Sequence, residues 1–146
     1  MVIAIIGGGA SGMAAALAAA ENPGCRVVLL ERQARLGRKL QATGNGRCNL
    51  SNFHAAHQGY HGEQPDFSEY AIGAFPPEKT LDWFRSLGLF TVAEESGRVY
   101  PYSDQANSVL DVLRFALEKS NIQVKLGAEV EKVRKTQDGF RLKFGE

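Results

Sequence analysis

The segment from Val2 to Glu31 constrains the fold more than any other part of the chain. Val2-Ile-Ala-Ile-Ile6 is a short, β-branched, uninterrupted apolar run, the pattern of a strand buried on both faces. Gly7-Gly8-Gly9-Ala10-Ser11-Gly12 follows at once and has the spacing G-x-G-x-x-G. An alanine-rich stretch of high helix propensity then runs from Ala10 to Glu21 and stops at Asn22-Pro23-Gly24. Arg26-Val-Val-Leu-Leu30 reads as a second buried strand, and Glu31 closes it, 19 residues past Gly12. Strand, crossover helix and strand in about 30 residues make one βαβ unit.

The glycine pattern alone is weak. Between a strand and a helix it predicts a dinucleotide site. Gly7 would make the tight turn, Gly9 would admit a pyrophosphate close to the backbone, and Gly12 would let helix and strand pack closely. The helix start supplies free N–H donors and the positive end of a dipole to phosphates. An acidic side chain at position 31 suits the hydroxyls of an adenosine ribose and would repel a 2′-phosphate.

The rest of the chain is consistent with an α/β domain. Residues 32–76 show little periodicity, too long a stretch for a mere connection. Pro77 to Leu87 predicts a helix ended by Gly88, with Leu81, Phe84 and Leu87 on one face. Phe90–Ala93 and Arg98–Tyr100 predict a hairpin. A helix with Ser103 or Asp104 as cap carries Val109, Val112, Leu113, Ala116 and Leu117 as its apolar stripe and ends by Asn121. Ile122–Leu126 is a third strand, and Val130–Lys135 with Phe140–Phe144 form a hairpin about Asp138-Gly139. The last residues read as a strand just started, so the chain is expected to be the opening part of a longer protein.

Composition narrows the function. The chain of 146 residues is 44% hydrophobic with a net charge of +1, which excludes a disordered chain and a polybasic nucleic-acid arm. Residues 31–52 hold five basic residues and one acidic, beside both glycine clusters, and suit a small anionic ligand. No nucleic-acid partner is expected. The glycines of the first helix start break any signal-peptide pattern, and no run approaches the roughly 20 apolar residues of a membrane span, so a cytoplasmic protein is expected. Two distant cysteines, Cys25 and Cys48, support neither a redox dithiol nor a zinc site. His54, His57 and His61 are spaced for one helix face, but Gly59 and Gly62 argue against that helix; no metal site is expected.

The string Gly37-Arg-Lys-Leu-Gln-Ala-Thr-Gly-Asn-Gly-Arg-Cys-Asn-Leu-Ser-Asn52 resembles the signature of a bacterial and archaeal family of FAD-dependent oxidoreductases, the BaiN-like flavoproteins, which includes aminoacetone oxidase and 3-dehydro-bile-acid Δ4,6-reductase. Phe75-Pro-Pro-Glu78 and Ser96-Gly-Arg-Val-Tyr-Pro101 match it too. The resemblance implies a Rossmann-like FAD-binding domain of the glutathione-reductase type: a parallel sheet plus the start of an antiparallel β-meander, with later strands and the substrate domain absent from residues 1–146.

Carried onto this sequence, the resemblance places Gly7, Gly9, Ala10, Ser11 and Gly12 at the pyrophosphate and Glu31 at the ribose. Arg32, Arg38 and Lys39 would lie near the phosphates or ribityl chain. Thr43, Gly44, Asn45, Gly46, Cys48 and Asn49 would run along the flavin, and the backbone of Val130 would meet the adenine. Independently, Gly44 and Gly46 permit a left-handed backbone, and Asn45 and Asn49 offer amide groups to a ring edge. Cys48 reads as a buried, inert thiol. The implied reaction is hydride transfer through flavin N5 to or from a small organic substrate, by amine oxidation or enone C=C reduction, with NAD(P)H or O₂ as redox partner. A non-catalytic module that holds NAD or FAD is the alternative. No side chain presents itself as a catalytic acid or base, and neither substrate nor oligomeric state is legible.

Overall fold

The computed structural model describes residues 1–54 and 60–145. In chain order the elements are β1 (Val2–Ile6), α1 (Ala10–Ala20), β2 (Arg26–Glu31), α2 (Arg38–Ala42), β3 (Ser51–Asn52), α3 (Glu69–Ala74), α4 (Pro77–Ser86), β4 (Thr91–Ala93), β5 (Arg98–Pro101), α5 (Ala106–Ala116), β6 (Ile122–Leu126), β7 (Glu129–Thr136) and β8 (Gly139–Gly145). They fall into two compact units: residues 1–40 with 113–146, and residues 41–112.

The first unit is built on a parallel sheet in the order β1-β2-β6. Ile3 lies beside Val27 and Ile5 beside Leu29, while Val27 and Leu29 lie beside Ile122 and Val124. Helix α1 buries Met13, Ala16, Leu17 and Ala20, the i, i+3, i+4, i+7 stripe of a helix laid on a sheet. Asn121, expected to end the preceding helix, instead ties the unit together: its side-chain amide donates to the carbonyls of Ala20 and Cys25. Helix α5 itself stops at Ala116.

One expectation fails. Strand β1 is not buried on both faces: Val2 is 66% and Ile6 54% exposed. Exposed Val2, Ala4 and Ile6 alternate with half-buried Ile3 and Ile5, so one face of the strand is left uncovered by the described residues, among which it pairs with β2. Strands β7 and β8 form a separate antiparallel ribbon, with a register irregularity between Val130 and Lys132.

In the second unit β5 lies between β3 and β4, both antiparallel to it. The stretch that shows no periodicity contains α2, β3, a short 3₁₀ turn at Pro65–Ser68 and α3. Elements this short lack a repeat that a sequence pattern can reveal. Helix α4 buries Leu81, with Trp83 and Phe84 half-buried in an edge-to-face pair 4.9 Å apart. Ser103 and Asp104 do not act as the expected cap. The Ser103 hydroxyl bonds that of Ser108, and Asp104 turns to Arg47.

Candidate functional site

In the first unit the site is a backbone turn held by one carboxylate. Gly7 has φ +102°, a conformation that an L side chain rarely adopts. Its N–H donates to the Leu30 carbonyl at 2.7 Å, joining the turn to the end of β2. The Gly8 N–H donates to Glu31 Oε2 at 2.6 Å, and the Gln33 N–H donates to Glu31 Oε1 at 2.8 Å. Gly37 N–H closes the arrangement on the Gly8 carbonyl at 2.8 Å. Each oxygen of Glu31 thus accepts one backbone bond and keeps a lone pair for another donor.

The three glycines of the pattern differ in what surrounds them. A Cβ on Gly12 would stand 1.8 Å from the Gly7 carbonyl oxygen, so α1 approaches the turn too closely for any side chain. A Cβ on Gly9 would meet nothing within 4 Å. That open space lies at the N-cap of α1, where no side chain caps the first N–H groups. Ala10 and Ser11 are exposed there. The turn therefore offers uncapped donors, a dipole end and room for an anion to reach the backbone.

Around this turn Arg38 donates to the Gln33 side chain at 3.0 Å, and Lys39 is exposed. Arg32 faces Glu129 at 3.9 Å, both largely exposed, a loose pair of little energetic weight. Val130 is half-buried on β7, opposite Phe144.

In the second unit the glycine-rich string forms a left-handed loop. Gly44 and Asn45 both lie in the left-handed region, with φ 56° and 55°, followed by Gly46 at 86° and Cys48 at 61°. Gly44 is required twice over, because a Cβ there would also meet the Asn49 nitrogen at 2.8 Å and Tyr100 Cε1 at 3.2 Å. The Arg47 and Cys48 N–H groups return to the carbonyls of Gly44 and Thr43, and Leu50 N–H joins the loop's exit to Val99 of β5. Thr43, Asn45, Gly46 and Asn49 are exposed.

Arg47 clamps this loop. Its guanidinium lies 3.8 Å over the Tyr100 ring, donates to Glu94 at 2.9 Å and bonds Asp104. Asp104 and then Glu94 hold the Arg47 guanidinium above its already high pKa, so it stays charged. Arg47 belongs to the basic stretch 31–52 whose charge suits an anionic ligand, but the structure gives it two carboxylates of its own. Among the described residues the left-handed non-glycines are Asn45, Cys48 and Asp104, all in this loop or its clamp. Strain held by surrounding contacts is a mark of functional loops. Glu94 and Asp104, more than 40 positions away, are supports that no local pattern reveals.

Cys48 is buried and free, as is Cys25. Burial pushes the Cys48 thiol up, with the Thr43 hydroxyl opposing, so the neutral thiol dominates. His54 and His61 are exposed, and His57 lies outside the described residues. Among the described residues no group of three or more His, Cys, Asp or Glu side chains is placed to hold a metal ion, and no helix is long and apolar enough to cross a membrane.

Comparison with known proteins agrees with this fold. The chain is 45% identical over 139 residues to the 3-dehydro-bile acid delta(4,6)-reductase of Clostridium scindens, covering 94% of the chain and 34% of that enzyme. It is 33% identical over 138 residues to the ribosomal RNA dihydrouridine synthase of Escherichia coli, again covering 94% and 34%. The chain thus spans about a third of the length of these relatives. Among solved structures, Thermovibrio ammonificans THI4 matches with a TM-score of 0.61 at 18% identity, over 97% of this chain and 44% of that one. A flavocytochrome c3 fumarate reductase matches with a TM-score of 0.57 at 19% identity, over 97% and 31%. These likenesses carry the fold. The HI0933-like protein Rossmann domain matches residues 1–146 in full, and the chain belongs to that family.

Proposed function

We propose that the chain is the FAD-binding N-terminal portion of a flavin-dependent reductase that saturates a C=C bond conjugated to a carbonyl. The observation that carries the cofactor assignment is the Glu31 carboxylate on the Gly8 N–H at 2.6 Å, beside an uncapped helix start with open space at Gly9. A dinucleotide fits those residues: a pyrophosphate needs unobstructed N–H donors, and a ribose needs an acceptor at the neighbouring strand end.

In this reading Gly7, Gly9, Ala10, Ser11 and Gly12 receive the pyrophosphate. Glu31 uses its remaining lone pairs for the ribose hydroxyls, and the backbone near Val130 meets the adenine. Arg32, Arg38 and Lys39 are the exposed cations that balance phosphate charge. In the second unit, Asn45 and Asn49 present amides from a backbone held in one shape by Arg47. When bound, the flavin supplies hydride chemistry at N5; orientation and water exclusion fall to the protein.

The reaction class follows from the relatives' names. A 3-dehydro Δ4,6 steroid and a uracil ring both hold a C=C bond conjugated to a carbonyl, which accepts hydride at the β-carbon and a proton at the α-carbon. Enone reduction is favoured over amine oxidation on that ground. The donor is NAD(P)H, and the setting a cytoplasmic one.

The test is titration with FAD, followed by quenching of flavin fluorescence and the visible flavin bands. Binding lost in Gly9→Val and Glu31→Arg supports the reading. NAD binding without FAD binding, or a Gly9→Val chain that takes up FAD unchanged, refutes it and favours a non-catalytic nucleotide module.

A further inference from the structure

We propose that the exposed apolar face of α3 is the docking surface for an amphipathic segment with a basic flank, carried by the residues that follow Glu146 in the whole protein. The 3₁₀ turn Pro65–Ser68 runs directly into α3, and neither contains a buried residue. At 3.6 residues per turn, half-buried Pro65, Ser68 and Ile72 share one face. Phe67, Tyr70, Ala71 and Ala74 form a stripe on the other side, and Phe75 extends it at the C-cap. All five are exposed, Phe67 at 86%, Tyr70 at 87% and Phe75 at 51%.

The amphipathicity of this helix is inverted. Its aromatic side chains face water, and the covered face holds a proline, a serine and one isoleucine. Four residues of 3₁₀ turn and six of α-helix are too few to hold a helix in water by themselves. A helix this short draws its stability from an apolar face packed on another element. Scattered exposed apolar residues are ordinary, but a contiguous aromatic stripe along one helix marks an interaction site.

Charge and area select the occupant. Asp66 and Glu69 stand along one side of the stripe, and no Lys or Arg lies between Arg47 and Lys79 in the chain. Lys79 is at the other end of the helix, where its ammonium caps the Ala74 carbonyl at 3.1 Å. A partner with Lys or Arg beside its apolar face complements the acidic side, whereas an anionic membrane surface is repelled by it. The three aromatics expose about 450 Å² in all, at about 200 Å² for a whole side chain. Two copies joined through this stripe would bury about 900 Å², short of the roughly 1,200–2,000 Å² of a stable interface. A tethered segment needs less, because the covalent link supplies its effective concentration. The chain spans about a third of the length of its relatives, which leaves ample chain to supply such a segment. The docking surface rests on the reading of these residues as an N-terminal portion, not on the flavin.

The experiment is hydroxyl-radical footprinting of the full-length protein, read by mass spectrometry at Phe67, Tyr70 and Phe75. A synthetic peptide of residues 63–79 is the uncovered reference. Oxidation of Phe67 and Tyr70 should be about ten-fold slower in the protein than in the peptide, the ratio of their exposure here to that of a buried side chain. Asp66→Lys/Glu69→Lys should restore most of the peptide's rate. Leu81 and Tyr100, buried in the same unit, should stay protected in that variant and report that the unit is folded. Oxidation at the peptide's rate in the parent overturns the proposal, as does protection that survives the charge reversal. Protection that grows with protein concentration assigns the stripe to a second copy, and protection gained only on phosphatidylserine vesicles assigns it to a membrane; either overturns the proposal. FAD titration of the same protein separates the two readings. A protected stripe without FAD uptake sinks the flavin and leaves the docking surface, and FAD uptake with an unprotected stripe does the reverse.

Discussion

Replacing Gly12 with alanine sets two physical effects of opposite sign against each other. Position 12 lies in the first turn of α1, where Gly→Ala would gain up to about 1 kcal/mol from helix propensity. The added Cβ would stand 1.8 Å from the Gly7 carbonyl oxygen, where an ordinary carbon–oxygen contact is about 3.3 Å or more. That carbonyl cannot swing away freely. It belongs to the peptide unit whose N–H is the Gly8 donor held at 2.6 Å by Glu31. Relief must come from moving α1 against the turn or from weakening that bond. Overpacking costs about 1–3 kcal/mol. A hydrogen bond to a charged group contributes about 1.5–3 kcal/mol. The expected net destabilisation is about 2–4 kcal/mol, a fall of about 1–2 M in the urea midpoint. Gly9→Ala is the control: φ is −77° and nothing lies within 4 Å, so its unfolding free energy should stay within about 0.5 kcal/mol of the parent's. A Gly12→Ala chain as stable as the parent would refute the reasoning, since propensity would then outweigh the contact.

Three further outcomes follow from the same geometry. Glu31→Gln keeps the shape but faces one of the two backbone donors with an NH₂ group, so urea unfolding should show a loss of roughly 1–3 kcal/mol and non-additivity with Gly12→Ala. Folding raises the Cys48 pKa through burial, so stability tied to that thiol is complete below the ordinary value of 9.0 and declines as pH rises through the folded pKa. Unfolding midpoints from pH 7 to pH 10 should show that decline, and Cys48→Ala should remove its part; a parent and variant with parallel profiles would contradict it. Arg47→Lys should loosen the loop, because an ammonium cannot lie on Tyr100 and bond Glu94 and Asp104 at once. Hydrogen exchange at the Arg47 and Cys48 amides should accelerate, and protection equal to the parent's would count against the clamp.

The βαβ unit was legible because its determinants are local. Apolar runs set β1 and β2, alanines set α1, and the Gly7 turn and close Gly12 approach require missing side chains at those positions. The exposure of β1 was not legible, since an uninterrupted apolar run does not tell which of its two faces other elements cover. The string from Thr43 to Asn52 announced an unusual loop but not its support.

The sequence by itself determined the elements of the first unit, the glycine turn and the acid that ends β2, together with the family resemblance. Only tertiary structure decided that Glu31 accepts from Gly8, that Arg47 spends its charge on Glu94 and Asp104, and that β6 lies beside β2. It also decided that the aromatic stripe of α3 faces solvent, through which side of that helix rests on the fold. Periodicity and backbone preference act over a few residues, whereas pairing partners and charge neighbours depend on which distant segments the folded chain brings within a few ångströms.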